Sequence, residues 1–138
     1  MKTIYLLAII IELLNAQTYK DFAKVYGYET NYEKAYIKAK KEKKNILLIT
    51  ISSYCPWCKK LENQVLKDAG VQKKIQTLFV PVIINKDIDK LSERFITHIV
   101  PMSYIIDYKT EKTVKKRAGY QKKSDFMYFI KNAKMNSY

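Results

Sequence analysis

Residues 46–67 read ILLITISSYCPWCKKLENQVLK, and this stretch decides the fold. Its first part, from Ile46 to Ile51, is an apolar run that predicts a strand buried on both faces, of the kind that lies centrally in a sheet covered by helices. Its last part, from Lys59 to Lys67, predicts a helix. The two cysteines of the chain, Cys55 and Cys58, therefore lie where a strand passes into a helix.

The spacing of the two cysteines predicts thiol–disulfide chemistry. Two sulfurs separated by two residues can close a small ring, and the N-terminus of a helix favours a thiolate on the first of them. A bridge this short constrains the unfolded chain very little, so its contribution to stability is low and its use is chemical. A zinc site is disfavoured because zinc takes four ligands, and the chain adds to the two cysteines only a single histidine, His98.

The two cysteines are expected to have different roles. Cys55 should be the attacking thiol because it stands at the helix start, where Pro56 is tolerated and where Lys59 and Lys60 add positive charge. Cys58 falls on the inward face of the helix and should resolve the mixed disulfide that Cys55 forms with a substrate.

The first sixteen residues are typical of a secretory signal peptide. A short basic start precedes an apolar stretch from Ile4 to Leu14, and a small residue, Ala16, follows where signal peptidases cleave. The apolar stretch has about half of the roughly 20 residues that a membrane-spanning helix needs. We therefore predict that residues 1–16 are removed and that residues 17–138 form one domain in the periplasm or outside the cell. The alternative, which Glu12 inside the stretch favours, is an uncleaved amphipathic helix or a short anchor.

The charge of the chain says little about its partners. The formal net charge is +13, and all but two of the 26 basic residues are lysines spread along the whole sequence. This pattern is typical of a solvated surface. A nucleic-acid-binding domain would more often cluster arginines among aromatic residues, so the composition argues against nucleic acid as a partner. Acidic partners or an anionic membrane face stay open as alternatives.

The rest of the chain alternates helices and strands. Asn31 predicts the N-cap of a helix that runs to about Lys44. Further elements are predicted as a possible short strand near Phe22–Tyr26, strands over Phe79–Ile84, Met102–Ile106 and Thr113–Ala118, a helix marked by Ile88, Leu91 and Phe95, and a final helix capped by Ser124. The first two central strands should be parallel, and the last two antiparallel across the short turn Tyr108–Glu111. The predicted class is α/β, with a central mixed sheet of about four to five strands and helices on both faces.

This order of elements, with a Cys-x-x-Cys pair after the first central strand, resembles the thioredoxin superfamily over roughly residues 31–135. The resemblance rests on the redox motif with its preceding aromatic residue, the proline loop, the strand after it and the turn into the last helix: Tyr54–Lys59, Val100-Pro101, Ile105–Asp107, and Gly119-Tyr120 with Ser124–Phe126. The helix before the first strand is similar to that of secreted thioredoxin-like proteins close to the periplasmic disulfide-reductant domains. Those proteins act in disulfide reduction or cytochrome c maturation.

The resemblance implies that Cys55 and Cys58 are the catalytic residues and form a redox disulfide, with no cofactor. The implied partners are protein thiols and disulfides, together with a membrane or periplasmic thiol-redox partner. The chain is expected to be a monomer.

The resemblance also implies a surface that binds the substrate. The Val100–Pro101 bond is expected to be cis and to present the Val100 backbone to a substrate segment for strand-like pairing. Tyr54 and Trp57 would form an apolar rim around the substrate. For Tyr54, packing alone is the alternative.

One position departs from the thioredoxin pattern. The buried acid that thioredoxins carry six residues before the first cysteine, which resembles a proton acceptor for the buried cysteine, is replaced by Ile49. Cys58 must then lose its proton to water or to another group. Glu62 is a candidate, but its expected place is the helix surface. Since Pro56-Trp57 contains no histidine of the kind that stabilises the thiolate in strongly oxidising relatives, reduction is favoured over disulfide donation or isomerisation.

A copper(I) carrier is the alternative from a different class. His98 lies three residues before Pro101 and could bind copper(I) with Cys55, Cys58 and Met102, all of which are soft or borderline ligands. Copper-delivery proteins of thioredoxin fold resemble a three-residue spacing between their cysteines, which this chain lacks. A surface histidine is therefore the favoured interpretation, and no metal site is predicted.

Overall fold

The computed structural model describes residues 2–133, without the side chains of residues 12–18. Five α-helices and four strands follow one another in this part of the chain, with one π-helix and one 3₁₀ turn. Their bounds are α1 Lys2–Tyr26, α2 Tyr32–Glu42, β1 Asn45–Ile51, α3 Pro56–Leu61, the π-helix Glu62–Leu66, α4 Ala69–Leu78, β2 Phe79–Asn85, the 3₁₀ turn Glu93–Phe95, β3 Met102–Ile106, β4 Thr113–Ala118 and α5 Lys123–Lys131.

The four strands form one mixed sheet in the order β2-β1-β3-β4. β1 runs parallel to β2, with Asn45 opposite Phe79, and antiparallel to β3, with Thr50 opposite Met102. β4 is antiparallel to β3 and forms the far edge. The mixed sheet, the parallel first pair and the antiparallel last pair are confirmed.

Successive residues of β1 point into two different cores, which is why the strand is apolar on both faces. Leu47, Ile49 and Ile51 pack with α1, α3, α4 and α5 on one face of the sheet. Ile46 and Leu48 pack with α2 on the other. The prediction of helices on both faces is confirmed.

The two edges of the sheet are protected in different ways. On the β2 side, Glu29 donates its backbone N–H to the Pro81 carbonyl and accepts from the Ile83 N–H, each at 2.9 Å. On the β4 side, the strand is exposed at all but one position and carries the charged run Lys115–Arg117. A charged edge of this kind disfavours pairing with a strand of another molecule.

The ends of α2 follow the local chemistry of the sequence. Asn31 caps the helix as predicted, because its side-chain oxygen accepts a hydrogen bond of 2.9 Å from the Lys34 backbone N–H. The helix ends at Glu42, since Lys43 adopts the left-handed conformation with φ of 54°. Asn45 is already part of β1.

The prediction of a short strand near Phe22–Tyr26 is wrong, because this segment is the last part of α1. Tyr19, Phe22 and Ala23 recur at helical spacing and are all buried, so the helix is fixed by its contacts with the core. At the other end of α1, the residues of Ile4–Ile11 are exposed. Within residues 2–133 no helix is long and apolar enough to cross a membrane.

The helix predicted around Ile88, Leu91 and Phe95 is also wrong, since only the 3₁₀ turn forms there. Side chains compete with helical hydrogen bonding in this segment: Asn85 Oδ1 accepts from the Asp87 N–H, and Asp89 accepts from the Asn85 N–H.

The predicted cap of the final helix is wrong as well. α5 begins at Lys123, and Ser124 lies inside its first turn. The side chain of Lys123 forms an ion pair with Asp68, which joins the start of α5 to the N-cap of α4.

Candidate active site

A disulfide joins Cys55 and Cys58 at the start of α3, and their Cα atoms lie 5.2 Å apart. Cys55 is the N-cap of the helix, and its sulfur accepts a hydrogen bond of 3.1 Å from the Cys58 backbone N–H. Pro56 occupies the first helical turn, where its missing N–H costs no hydrogen bond. When the disulfide is reduced, the same N–H and the helix dipole favour a thiolate on Cys55.

The loop before β3 lies at the same end of the sheet as the disulfide, because Thr50 near the end of β1 pairs with Met102 at the start of β3. The Val100–Pro101 peptide bond in this loop is cis. Val100 is half-buried and packs against the core cluster that contains Cys58.

Two aromatic side chains beside the disulfide are exposed to solvent. Tyr54 is 63% exposed and Trp57 is 57% exposed. The Trp57 ring lies 5.9 Å from the ring of Tyr120, and Lys60 Nζ lies 5.0 Å from the former and 4.8 Å from the latter. These contacts hold Trp57 in place on the surface, and the exposure of Tyr54 leaves its ring available to a ligand.

A pocket of about 330 Å³ opens beside the disulfide and is lined in part by both cysteines. The wall of the pocket is mostly apolar. Ile49, which stands where thioredoxins carry a buried acid, forms part of this wall. Trp57, Val100 and Pro101 are not among the residues that line it. Tyr54 does line the pocket, so the pocket meets the surface on which the substrate was expected only on the Tyr54 side.

Glu62 lines this pocket, and the prediction that it lies on the helix surface is wrong: the residue is only 6% exposed. It forms ion pairs with Lys59 at 3.4 Å and with Lys67 at 3.6 Å. Glu62 follows Cys58 by four residues, a spacing that places both side chains on one helix face. The spacing of four residues from Cys58, together with the neighbouring apolar residue Leu61, was the feature of the sequence that could have predicted the burial of Glu62.

Sequence analysis missed a second group of residues at the pocket. Tyr19 of α1 lines the pocket and donates a hydrogen bond of 2.7 Å to Asp89. Burial raises the pKa of Tyr19 well above its usual range, and the hydrogen bond to Asp89 adds to this effect. Asn85 of β2 also lines the pocket and donates to the Ser53 hydroxyl at 3.3 Å. No motif signals these contacts, because they join segments far apart in the chain.

The structure does not assemble the ligands of the copper alternative. His98 is exposed, and neither His98 nor Met102 lines the pocket beside the cysteines. Among the described residues, no group of three or more histidine, cysteine, aspartate or glutamate side chains is placed to hold a metal ion.

Comparisons with known proteins identify the fold family. The model of a family described as a thioredoxin-like domain matches residues 32–134. No curated protein matches the chain.

Several solved structures are similar to this chain. A thioredoxin from Thermus thermophilus is 20% identical, with a TM-score of 0.68 over 75% of this chain and 84% of that one. The oxidised C-terminal domain of DsbD from Neisseria meningitidis is 14% identical, with a TM-score of 0.65 over 78% of this chain and 99% of that one. A DsbH oxidoreductase is 18% identical, with a TM-score of 0.58 over 76% and 82%.

At these identities the likeness to solved structures concerns the fold, whereas the family model spans most of the chain. The disulfide at the helix start adds the chemistry. The chain belongs to the thioredoxin-like domain family, and its Cys55–Cys58 pair is that of a thiol–disulfide oxidoreductase.

Proposed function

We propose that this protein reduces disulfides of other proteins in the periplasm or outside the cell. The observation that carries the proposal is the asymmetry of the disulfide: Cys55 is half-buried and receives an N–H hydrogen bond, whereas Cys58 is buried. In the reduced protein, a thiolate on the accessible sulfur can attack, and the second sulfur can reach only the first.

The reaction proceeds in two displacements. The Cys55 thiolate attacks one sulfur of a substrate disulfide, forms a mixed disulfide and releases the other substrate sulfur as a thiolate. Cys58 then loses its proton and attacks Cys55 Sγ, which releases the second substrate sulfur. The substrate gains two electrons, and Cys55 and Cys58 return to the disulfide. A membrane or periplasmic thiol donor must then reduce the pair.

We assign substrate binding to Tyr54, Trp57, Val100 and Pro101. The two aromatic rings give an exposed apolar surface next to Cys55, and the Val100 backbone would pair with an extended substrate segment. Apolar contact with backbone pairing suits a reductase that accepts many protein substrates, because neither demands one particular side chain.

The reduction potential of the pair tests the direction of the reaction. The protein is equilibrated in dithiothreitol and glutathione buffers, and the oxidised fraction is measured by mass after alkylation. A potential near that of thioredoxin, roughly −270 mV, supports a reductase. A potential near roughly −120 mV would identify a protein that donates its disulfide, and the proposed direction would then be wrong.

We also propose that residues 1–16 are a signal peptide. The side chains of Ile4–Ile11 are exposed, and the first buried side chain described in α1 is that of Tyr19, so the domain makes little use of the apolar end of the helix. Intact mass of protein exported from bacterial cells should show a chain that begins at Gln17. A mass for the full chain would instead favour an uncleaved helix or anchor.

A further inference from the structure

We propose that the surface around the disulfide prefers substrate segments that carry carboxylates, and that Lys60 is the residue that recognises their charge. The inference rests on the proposed function, because it names the class of protein disulfides that the reductase would attack fastest. The aromatic rim and the Val100 backbone accept many sequences, so the charge of the surface would set the preference among them.

Three segments of the chain surround the disulfide: residues 52–60, residues 96–101 and residues 119–123. The third segment adjoins the second, because the Gly119 backbone N–H donates a hydrogen bond of 2.7 Å to the Pro101 carbonyl. It also adjoins the first, since the rings of Tyr120 and Trp57 lie 5.9 Å apart. A substrate that reaches Cys55 therefore meets side chains of all three segments.

The charged residues of these segments are all of one sign. Their four lysines are Lys59, Lys60, Lys122 and Lys123. No aspartate or glutamate occurs in them, although the whole chain has 13 such residues. The surface next to the disulfide therefore attracts anions rather than cations.

Two of the four lysines are already paired with carboxylates of the protein. Lys59 forms an ion pair with Glu62 at 3.4 Å, and Lys123 forms one with Asp68. Of the other two, Lys60 lies on α3 together with Cys58, and it has no ion-pair partner among the residues that the structure describes. The charge of Lys60 is therefore available to a ligand.

Two aromatic rings hold the Lys60 side chain in place. Its Nζ lies 5.0 Å from the centre of the Trp57 ring and 4.8 Å from that of Tyr120, within the range of cation–π attraction. Tyr120 is itself fixed, because its hydroxyl donates a hydrogen bond of 2.9 Å to Gln64 Oε1. A lysine that is ordered before binding loses little further rotamer entropy when a carboxylate pairs with it.

The position of Lys60 on α3 sets where the carboxylate of a substrate should be. Lys60 follows Cys55 by five residues, which corresponds to about 7.5 Å along a helix axis. An extended substrate segment covers this distance in about two residues, at about 3.3 Å for each. We therefore expect the preferred substrates to carry aspartate or glutamate about two residues from the reactive cysteine.

The preference is measured with three peptides that differ only in charge. They carry glutamate, glutamine or lysine two residues before and two residues after a single cysteine, whose sulfur is bonded to 2-thiopyridine. The Cys55 thiolate attacks the peptide sulfur and forms a disulfide with the peptide, while the bond to the thiopyridine sulfur breaks and 2-thiopyridone leaves. Stopped-flow absorbance of 2-thiopyridone gives the rate of this displacement.

The reduced, unaltered protein should react fastest with the glutamate peptide and slowest with the lysine peptide. In Lys60→Gln, the rate with the glutamate peptide relative to the glutamine peptide should fall about threefold, the effect of one ion pair on a protein surface. Added salt should lower the same ratio in the unaltered protein and change it much less in Lys60→Gln. An effect of Lys60 on the Cys55 thiolate alone would change the rate with every peptide equally and leave the ratio unchanged.

Lys115→Gln is the matched control. Lys115 of β4 is half-buried, as Lys60 is. Its Nζ also lies near two rings, 5.6 Å from that of Tyr128 and 5.3 Å from that of Phe129. The substitution removes the same charge away from the three segments, so it should leave the ratio unchanged. Lys60→Arg should retain the ratio, because arginine also stacks on aromatic rings and pairs with carboxylates.

Each outcome decides a different claim. A glutamate preference that is absent from the unaltered protein, or that is unchanged in Lys60→Gln, would overturn the inference and leave the proposed function intact. An equal loss of preference in Lys115→Gln would assign it to the net charge of the chain, and the role of Lys60 would then be wrong. If the reduced protein released 2-thiopyridone from no peptide faster than an equal concentration of glutathione, the proposed function itself would fail.

Discussion

Cys55 and Cys58 share one bond but differ in their surroundings. Cys55 is half-buried and its sulfur accepts the Cys58 backbone N–H at 3.1 Å, whereas Cys58 is only 7% exposed. A protein disulfide can approach only the first sulfur, and charge on that sulfur is stabilised by the helix start. The different roles proposed for the two cysteines therefore follow from their positions at the N-cap and in the first turn of α3.

We expect Cys58→Ser to trap the substrate. Without the second thiol, the mixed disulfide on Cys55 is not resolved and accumulates at one equivalent, because a serine hydroxyl cannot displace the substrate sulfur. Intact mass spectrometry after mixing with an oxidised substrate protein measures the adduct. Cys55→Ser is the control and should form none; an adduct of equal yield in that variant would reverse the assigned roles.

We expect Trp57→Ala to weaken substrate binding while leaving the reduction potential in place. Trp57 is exposed beside the disulfide, so its removal should delete about 1 kcal/mol of aromatic contact with the substrate, or about fivefold in KM for a protein disulfide. Tyr128→Ala on α5 is the matched control, since Tyr128 is also exposed and lies near a lysine. Equal effects of the two substitutions on KM would argue against a substrate surface at Trp57.

At the scale of the elements, local sequence patterns were sufficient to predict a helix or strand where local interactions alone determine it. β3 and β4 have the predicted bounds because β3 is a buried, mostly apolar run and a short turn joins it to β4. The predicted elements at Phe22–Tyr26 and Ile88–Phe95 were wrong for different reasons. Contacts with the core fix the first segment as helix, and hydrogen bonds among Asn85, Asp87 and Asp89 compete with helical ones in the second. Tyr19 bonds Asp89, 70 residues away, and that single contact ties α1 to the loop after β2.

The candidate site shows the same division. The cysteines, the proline loop and the aromatic rim follow from local motifs, which carry their chemistry in a few adjacent residues. The burial of Glu62 depends instead on the pocket between α1, β1 and β2, and the role of Tyr19 there depends on the path of α1. Neither the burial of Glu62 nor the position of Tyr19 could be predicted from neighbouring residues in a single sequence.

The C-terminal end of α2 offers a matched pair of glycine substitutions. Lys43 adopts the left-handed conformation with φ of 54°, which costs a residue with a Cβ atom about 1 kcal/mol. Lys43→Gly should therefore raise the free energy of unfolding by roughly 0.5–1 kcal/mol. Lys41→Gly, two residues earlier inside the helix, should lower it by about 1 kcal/mol. Urea unfolding measures both, and two changes of the same sign would contradict the assignment.

At the scale of the whole molecule, buried tyrosines make the fold sensitive to alkali. Burial raises the pKa of Tyr28 and of Tyr32 far above the usual value, as it does for Tyr19. These side chains join α1 and α2 to the sheet and to α4. In the folded state they hold protons that the unfolded chain releases once the pH passes about 10.

The folded protein should therefore lose stability as the pH rises above about 10, since the unfolded state then binds fewer protons. Below that pH these tyrosines are protonated in both states, and their contribution is constant. Thermal unfolding measured from pH 8 to 11.5 should show a falling midpoint, and Tyr28→Phe should make the fall shallower. A midpoint that falls equally steeply in that variant would assign the effect to other groups.

The protected edges of the sheet should limit aggregation of this protein with unfolded chains. If the protein reduces protein disulfides as proposed, its substrates include partly unfolded chains, and the exposed strands of such chains can pair with a free sheet edge. Glu29 occupies part of the β2 edge, and the charged run Lys115–Arg117 lines β4. We expect the enzyme to handle misfolded chains at high concentration without being drawn into their fibres.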